Sequence, residues 1–482
     1  MTDPGATWSF AIALAPIVIV LLALVCRVPA LWAGIIGVAT AILGSIAAFP
    51  VSASQASATA SAMGATFLTV TFILLGGVGL AEITARSGAQ ALIVGWLHST
   101  DRQGGLEGRD QLTIIVLIAY GVTPFMESVT GFGLGVVITA PLLIHLGLTP
   151  ARAVTTGLLG LVLVPWGSLA PGTLVAADLG DVGFTELGVW SAVLSLPVLC
   201  VNVITIVLVN RFRLRAGQWA FIAMVVGVEW LVLIAANAFV TPVLAGVLAS
   251  GSVIIIAMAR MRWNTGALPG LPVGFGQAMF PYGVLVIGLL VSAGLVGLIG
   301  LPSVAANPAV WLMIAVTATL VAYGRHEFDI PGIVRATLQR WWPVTAITLL
   351  FMVLGTVMSA NGMASELATT AASMGSVSMV FIPAIGALGG YLTGSNTGAA
   401  AMFSTATTSA ATQVSVNPLI ALAAQNVAGS AAIIASPPRI ALASSVAFAP
   451  GQKLPATNLR ILLLVLAVLI VLLSAVVPAL SG

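Results

Sequence analysis

The sequence predicts an all-α polytopic membrane protein with about twelve transmembrane helices and two re-entrant hairpins arranged as an inverted repeat. Three observations predict this fold class: the composition, the spacing of long apolar runs, and a polar, glycine-rich break in each half of the chain. Of the 482 residues, 60% are hydrophobic and 6% are charged. Because soluble domains carry about 25% charged residues, this composition excludes a water-soluble surface.

The net charge of +3 comes from basic residues in short loops between apolar runs. Such a bias is a topology signal and gives no reason to expect nucleic-acid binding. The chain starts without Lys or Arg before its first apolar run, so we expect a retained span there rather than a cleaved signal peptide.

A helix needs about 20 apolar residues to cross the hydrocarbon of a bilayer. Twelve runs are candidates, and those at 151–170 and 418–436 each have a proline near one end. The runs lie near residues 8–26, 30–49, 64–83, 151–170, 186–210, 217–237, 241–259, 279–300, 309–323, 344–360, 418–436 and 460–480.

Two further apolar stretches, 111–148 and 377–412, are interrupted halfway. The first break reads PFMESVTGFG (Pro124–Gly133) and the second LTGSNTG (Leu392–Gly398). Each stretch could form two full spans or one hairpin that enters the membrane and returns. Polar, irregular backbone is tolerated inside a membrane where it lines a cavity, and this favours re-entrant hairpins.

Cytoplasmic loops are enriched in Lys and Arg. The basic loops Arg211–Arg215 and Arg260–Arg262 are separated by two spans, so both are assigned to the cytoplasm. Counting spans from them, the first interrupted stretch starts and ends in the cytoplasm, whereas the second starts and ends outside, and both termini lie outside. Either form of the interrupted stretches gives this result.

These assignments predict three segments: a first half (1–210), a connector with two transmembrane helices (211–277), and a second half (278–482) that repeats the first upside down. Inverted repeats with paired interrupted helices are typical of secondary transporters, whose substrate site lies near the midplane at the interruptions. The alternative is a chance likeness among Gly- and Ala-rich helices.

The two breaks supply the candidate ligands. Glycines permit tight turns, hydroxyls supply donors, and the N-termini of half-helices present free N–H groups to an anion, so the breaks suit a small carboxylate. Glycine-rich packing between helices is the alternative explanation. The predicted substrate-binding residues are Ser128, Thr130, Gly131, Gly133, Thr393, Gly394, Ser395, Asn396 and Thr397 at the breaks, and Gln425 and Asn426 in the run 418–436.

Glu127 is the candidate for proton coupling. A carboxylate inside a membrane is costly to keep ionised and is a functional candidate by default. Burial disfavours the charged form, which would allow Glu127 to take up and release a proton during transport. The alternative role is a structural hydrogen bond that holds the hairpin turn.

Other charges within apolar runs have simpler interpretations. Glu82 and Arg86 have the i,i+4 spacing of a local ion pair. Glu229 lies in the connector and has no assigned role. Arg439 follows two prolines and could reach a carboxylate ligand or extend its side chain to the interface.

The motifs also resemble a known family. ESVTGFG, then GLTPARA and VPWGSLAPG, and later LTGSNTG and SPPRIALAS, resemble in this order the lactate permease family of bacterial 2-hydroxy-monocarboxylate transporters, over roughly residues 10–480. The resemblance implies an inner-membrane permease that takes up L-lactate, D-lactate or glycolate with a proton, on a fold similar to the ion-transporter superfamily. It also implies that residues 127–133 and 393–397 line the site.

We therefore expect a multi-pass plasma-membrane transporter that takes up lactate or glycolate by proton symport. The alternatives are a Na⁺-coupled organic-anion symporter of the same fold and, less favoured, an anion channel. An enzyme is disfavoured, because three scattered histidines show no HExxH or similar spacing. The expected partners are the carboxylate and the lipid bilayer, with homo-oligomerisation open, no nucleic acid, no metal site and no cofactor.

Overall fold

A computed structural model describes residues 4–102, 111–131, 133–265, 270–323 and 329–481. Within these ranges the chain forms helices and no β-strand, which confirms the all-α class. Eleven continuous helical segments of the described residues, three of which join neighbouring elements, are long and apolar enough to cross a membrane, or twelve if one bent pair counts as a single span. The predicted number of about twelve is therefore confirmed.

In the described residues of the first half there are eleven helices and two short segments of other helical types. A π-helical segment (Leu117–Val122) joins α5 to α6, and a 3-10 segment (Val164–Leu169) precedes α9. The helices are α1 (Pro4–Val25), α2 (Ala30–Ala47), α3 (Ala53–Arg86), α4 (Ala89–Arg102), α5 (Gln111–Val116), α6 (Thr123–Thr130), α7 (Leu134–His145), α8 (Pro150–Leu159), α9 (Pro171–Gly180), α10 (Phe184–Leu194) and α11 (Leu196–Val209).

The described parts of the connector and second half contain eleven further helices. Short 3-10 segments lie at Ser303–Ala306, Gly375–Phe381 and Ile433–Ala435. The helices are α12 (Ala216–Phe239), α13 (Pro242–Thr265), α14 (Phe275–Ile299), α15 (Pro308–Ala322), α16 (Ile330–Ala360), α17 (Met363–Ala372), α18 (Ile382–Thr393), α19 (Asn396–Gln413), α20 (Pro418–Ala432), α21 (Pro437–Ser445) and α22 (Ala456–Ser481).

The first interrupted stretch folds back on itself at its break. The arm from α5 to α6 runs to Thr130, the chain turns at Gly131 and Gly133, and α7 packs back against α6. At the far end Gln111 Nε2 lies 3.5 Å from the Leu146 carbonyl, so the two ends of the stretch meet. Gly131 and Gly133 have φ of 70° and 80°, a left-handed backbone that favours glycine.

The second interrupted stretch has a similar form, since α18 and α19 pack against each other on either side of Gly394 and Ser395. Both stretches thus turn at the predicted breaks. That each enters and leaves the membrane on the same face stays a prediction. Phe132 in the first turn lies outside the described residues.

One predicted span is wrong. Residues 151–170 do not form a continuous helix: α8 ends at Leu159, and the chain then passes through the 3-10 segment before α9. Pro165 and Pro171 lack the N–H that a continuing helix needs. A Cβ on Gly160 would overlap the Ala119 carbonyl, so the break also packs closely on the first hairpin.

The corresponding run 418–436 is helical through Ala435 and breaks at Ser436, before Pro437. Its interruption therefore comes at the end of the predicted span, whereas the break in 151–170 comes in the middle. Apolar composition alone does not separate these two cases.

The two longest helices, α3 and α16, pack against each other and form the centre of the scaffold. α1 and α2 pack together and α2 packs on α16, while α14 and α15 pack together and α15 packs on α3. Each half thus has the same series of elements: a helix pair, a long helix, a short helix, a hairpin, and a broken helix. That one half is inverted relative to the other, and the limits 1–210, 211–277 and 278–482, stay predictions; residues 266–269 and 324–328 within them lie outside the described ranges.

The predicted ion pair of Glu82 with Arg86 is confirmed, with Nε 2.7 Å from Oε1. The second carboxylate oxygen lies 2.8 Å from Nη1 of Arg340 on α16. Glu82 is buried, so one carboxylate joins the two central helices.

Gly390 sets how closely α18 approaches α20. A Cβ at this position would overlap the Gly429 carbonyl. We expect Gly390→Ala to destabilise the fold by about 1–3 kcal/mol, the typical cost of overpacking, visible as a lower unfolding temperature of the detergent-solubilised protein. Gly294→Ala in α14 is the control, since a Cβ there meets nothing within 4 Å. Equal unfolding temperatures for both variants would contradict the close contact.

Candidate functional site

A cavity of about 280 Å³ lies where both hairpin turns meet the two broken helices. Glu127 and Gly131 reach it from the first hairpin, and residues 393–398 from the second. The scaffold helix α16 supplies an apolar wall that includes Ile347 and Phe351. Pockets of about 300–1,000 Å³ hold drug-sized ligands, so this cavity suits a molecule of only a few heavy atoms.

A larger open groove of about 710 Å³ lies between α3 and α15. Apolar side chains such as Leu68, Phe72 and Ile314 line it, and none of its described lining residues is charged. A groove of this kind on a membrane protein offers nothing to orient a charged solute, so the smaller cavity is the candidate site.

Glu127 lies at the first hairpin turn and is 3% exposed. The backbone N–H of Gly133 lies 3.0 Å from Oε1 and 2.9 Å from Oε2 of its carboxylate. Gly133 immediately precedes α7, so Glu127 places a negative charge at the positive end of that helix. The alternative considered from the sequence, a bond that holds the hairpin turn, is present; the proton-coupling role stays a prediction.

Arg439, in the first turn of α21, connects the two hairpins across the cavity. Its Nη1 lies 3.6 Å from Glu127 Oε1, and its side chain is 13% exposed. Its Nε donates to the Gly394 carbonyl at 3.2 Å. The guanidinium therefore points into the site and does not extend to the membrane interface. Nη1 has no hydrogen-bond partner in the described part of the chain.

Three successive non-glycine residues at the break before α9 have left-handed backbone: Ser168, Leu169 and Ala170, with φ of 43°, 64° and 71°. Such conformations cost about 1–3 kcal/mol each and concentrate at functional sites. Ser168 lines the cavity and is 4% exposed, and its Oγ has no partner among the described residues. An unpaired hydroxyl therefore lies on the cavity wall.

The Ser168 turn lies close to the first hairpin. A Cβ on Gly131 would overlap Ser168 Cβ, so glycine is required there by both space and backbone angle. On the other side, Thr173 Oγ1 donates to the Pro165 carbonyl at 2.7 Å and closes the break.

Asn426 holds the second hairpin in position from behind the cavity. Asn396 Nδ2 donates to its Oδ1 at 2.8 Å, and its own Nδ2 donates to Thr173 Oγ1 at 3.1 Å and Ser191 Oγ at 3.0 Å. These three bonds join α19, α20, α9 and α10. Asn396 itself lines the cavity.

The structure brings seven of the predicted residues together at the cavity. They are Glu127, Gly131, Thr393, Gly394, Ser395, Asn396 and Thr397.

The other predicted ligands lie behind this wall. Thr130 Oγ1 donates to the Met126 carbonyl at 2.6 Å, Gln425 accepts from Thr407, and Ser128 faces Gly246 of α13. Gly133 contributes its N–H to Glu127 and Asn426 acts through Asn396. Direct contact between these residues and a ligand stays a prediction.

Ser168 is absent from the predicted ligands, and for Arg439 the sequence left open whether it reaches a carboxylate ligand or the membrane interface. A signal exists in the sequence for both, because each lies within three residues of a proline in an interrupted helix: Pro438 precedes Arg439, and Ser168 stands midway between Pro165 and Pro171. Polar residues at such interruptions are the ones able to face a cavity.

The chain matches the protein-family model of L-lactate permease over residues 9–267 and 301–479. The matched ranges include both hairpins and both broken helices. A search of the curated proteins finds no match.

We expect Asn426→Ala to destabilise the protein and displace the second hairpin. The substitution removes the acceptor for Asn396 Nδ2, and a buried polar group left unpaired costs about 1–3 kcal/mol. Thermal unfolding in detergent measures the effect. Gln413→Ala, at an exposed position at the end of α19, is the control and should leave the unfolding temperature unchanged. Similar behaviour of the two variants would show that the Asn426 bonds do not hold the hairpin.

Proposed function

Because the chain belongs to the L-lactate permease family, we propose that it takes up a small 2-hydroxy monocarboxylate, lactate or glycolate, by proton symport across the plasma membrane. The family makes it a multi-pass membrane protein of the permease type. The observation that carries the finer proposal is the buried Arg439–Glu127 pair, placed in a cavity of about 280 Å³ between two hairpin turns.

The substrate's carboxylate would bind Arg439. A guanidinium offers paired N–H donors that match a carboxylate. Nη1 of Arg439 makes no hydrogen bond to any described residue. The Ser168 hydroxyl supplies a second donor on the same wall. The described lining of the cavity contains one cationic group, Arg439, so it suits one carboxylate. A dicarboxylate would bring a second, uncompensated charge into a buried place.

The remaining walls fit the rest of a short hydroxy acid. Polar groups of the second hairpin, including Ser395 and Asn396, would bind the 2-hydroxyl group. The apolar wall of Ile347 and Phe351 would accommodate the methyl group of lactate or leave space beside glycolate. This division explains why the cavity is polar on the hairpin side and apolar on the scaffold side.

Glu127 would carry the proton. One anion that crosses with one proton moves no net charge, and uncompensated charge would cost about 2.3 kcal/mol per 100 mV against the membrane potential. Glu127 is the carboxylate within the cavity lining, and the second hairpin has Asn396 where a second one could stand. Alternating access would move the hairpins, with the broken helices, against the α3–α16 scaffold.

Uptake of radiolabelled L-lactate and glycolate into proteoliposomes tests this function. An inward pH gradient, acidic outside and with no sodium present, should drive accumulation above equilibrium, because each anion enters with a proton. Omission of the gradient is the control and should give equilibration only.

Three outcomes would contradict the proposal in different ways. Accumulation that requires sodium and ignores pH would indicate the Na⁺-coupled symporter. Flux that never exceeds equilibrium would indicate an anion channel. The absence of any carboxylate flux would reject the substrate class.

A further inference from the structure

We propose that the carboxylate of Glu127 is a built-in competitor of the substrate: in the empty carrier it neutralises Arg439, and its protonation releases the guanidinium for the substrate's carboxylate. This inference rests on the proposed function, since it assigns an order to the same site. Proton binding to Glu127 comes first and carboxylate binding to Arg439 follows.

Glu127 already occupies the N-terminal end of α7 at the first hairpin turn. The N-terminus of α7 is the place where the sequence predicts an anion-binding group, and Gly133 N–H already bonds to both oxygens of Glu127. The chain's own carboxylate thus takes the position expected for a ligand. Its distance of 3.6 Å from Arg439 Nη1 gives an ion pair longer than a hydrogen bond, which is a contact that another carboxylate can replace.

Two donors on the cavity wall are unsatisfied in the described part of the chain. Arg439 Nη1 and Ser168 Oγ are both buried and lack hydrogen-bond partners among the described residues, and both residues line the cavity. Buried donors are normally satisfied, so these two point to an acceptor that is bound for part of the cycle. Arg439 Nε, which bonds to the Gly394 carbonyl, keeps the guanidinium in place whichever carboxylate it meets.

The net charge of the site links the binding of the proton to the binding of the anion. The empty site holds one cation and one anion, and its net charge is zero. After one proton binds Glu127 and one substrate anion binds Arg439, the site holds a neutral acid, a cation and an anion, and the sum is again zero. The proton alone leaves +1 and the substrate alone leaves −1, and an unpaired charge is strongly disfavoured in a buried site. The site can therefore change its access from one side of the membrane to the other only when it is empty or fully loaded.

No other charged group of the described residues lines the cavity. On α3, Glu82 pairs with Arg86 and with Arg340 of α16. On α13, Arg260 donates to Thr113 at the start of the first hairpin arm; Arg262 lies beyond it on the same helix. On α7, His145 is exposed and contacts the Pro141 carbonyl.

The described residues thus give Glu127 one ion-pair partner, Arg439. A pH dependence at this site is therefore assigned to Glu127.

A competition of this kind has a measurable consequence. Because binding of the anion requires uptake of one proton, affinity should fall by about tenfold for each pH unit over the range in which Glu127 is ionised. By the reciprocity of linked equilibria, the anion must favour proton uptake to the same extent.

The test is calorimetric titration of the full-length protein in lipid nanodiscs with L-lactate and with acetate, between pH 5.5 and 8.5 (about three units, chosen to span the expected tenfold steps). Buffers of different ionisation enthalpy report the protons taken up. The wild-type protein should take up about one proton per bound anion. Glu127→Gln should take up none, bind independently of pH, and bind at least about tenfold more tightly than wild type at the highest pH.

Several results would overturn the inference. One is an affinity of Glu127→Gln for the anion that falls with pH as steeply as that of the wild-type protein. The others are weaker binding by Glu127→Gln than by wild type at high pH, and no binding of either carboxylate to any form. Glu229→Gln is the matched control, since Glu229 is fully buried on α12 and does not line the cavity. The anion affinity of Glu229→Gln should depend on pH as in the wild-type protein. Loss of this pH dependence in Glu229→Gln would also contradict the assignment to Glu127.

A second variant covers the case in which Glu127→Gln does not fold because Arg439 is left unpaired. The double variant Glu127→Gln/Arg439→Gln leaves no charged side chain in the described lining of the cavity, so it should fold and bind neither carboxylate. Proton-linked binding by this variant would overturn the inference. Proton-linked binding by a wild-type protein that fails to accumulate lactate in vesicles would instead reject the transport function and leave the inference standing.

Discussion

The ion pair between Glu127 and Arg439 joins elements that are otherwise separate in the chain. Arg439 belongs to α21 and also bonds to the second hairpin at Gly394, while Glu127 caps α7 in the first hairpin. Removing one member of a buried pair typically costs about 3–5 kcal/mol, because the other charge is left uncompensated. The net charge of the cavity lining and the proposed binding of one carboxylate both depend on this contact.

Much of the surrounding structure serves to keep the pair in place. Gly131 and Gly133 permit the turn that brings Glu127 to the end of α7, and the left-handed turn at Ser168 closes the same wall. Asn426 holds Asn396 on the opposite side. Behind these, α3 and α16 form a scaffold joined by the buried Glu82 and its two arginines. The mobile parts proposed for transport are the hairpins and broken helices, and the proposed fixed part is the scaffold.

The class of fold follows from composition, and the two hairpin turns follow from glycine-rich polar breaks in apolar runs, so both were predictable. The early end of α8 at Leu159 was not, because the prolines near the end of the run 151–170 do not show that the helix stops several residues before them. The pairing of Arg439 with Glu127 was also beyond the sequence, since it depends on how distant segments pack. For the same reason the sequence did not separate Asn396, which lines the cavity, from Asn426, which supports it.

The central claim is that the site holds the same net charge when empty and when loaded with one proton and one anion. Lactate accumulation in proteoliposomes, measured at a fixed pH gradient while potassium and valinomycin set the membrane potential, tests it most directly. The account predicts one proton per lactate and the same accumulation at every potential. Accumulation that changes with the potential, or a proton-to-lactate ratio other than one, would contradict it.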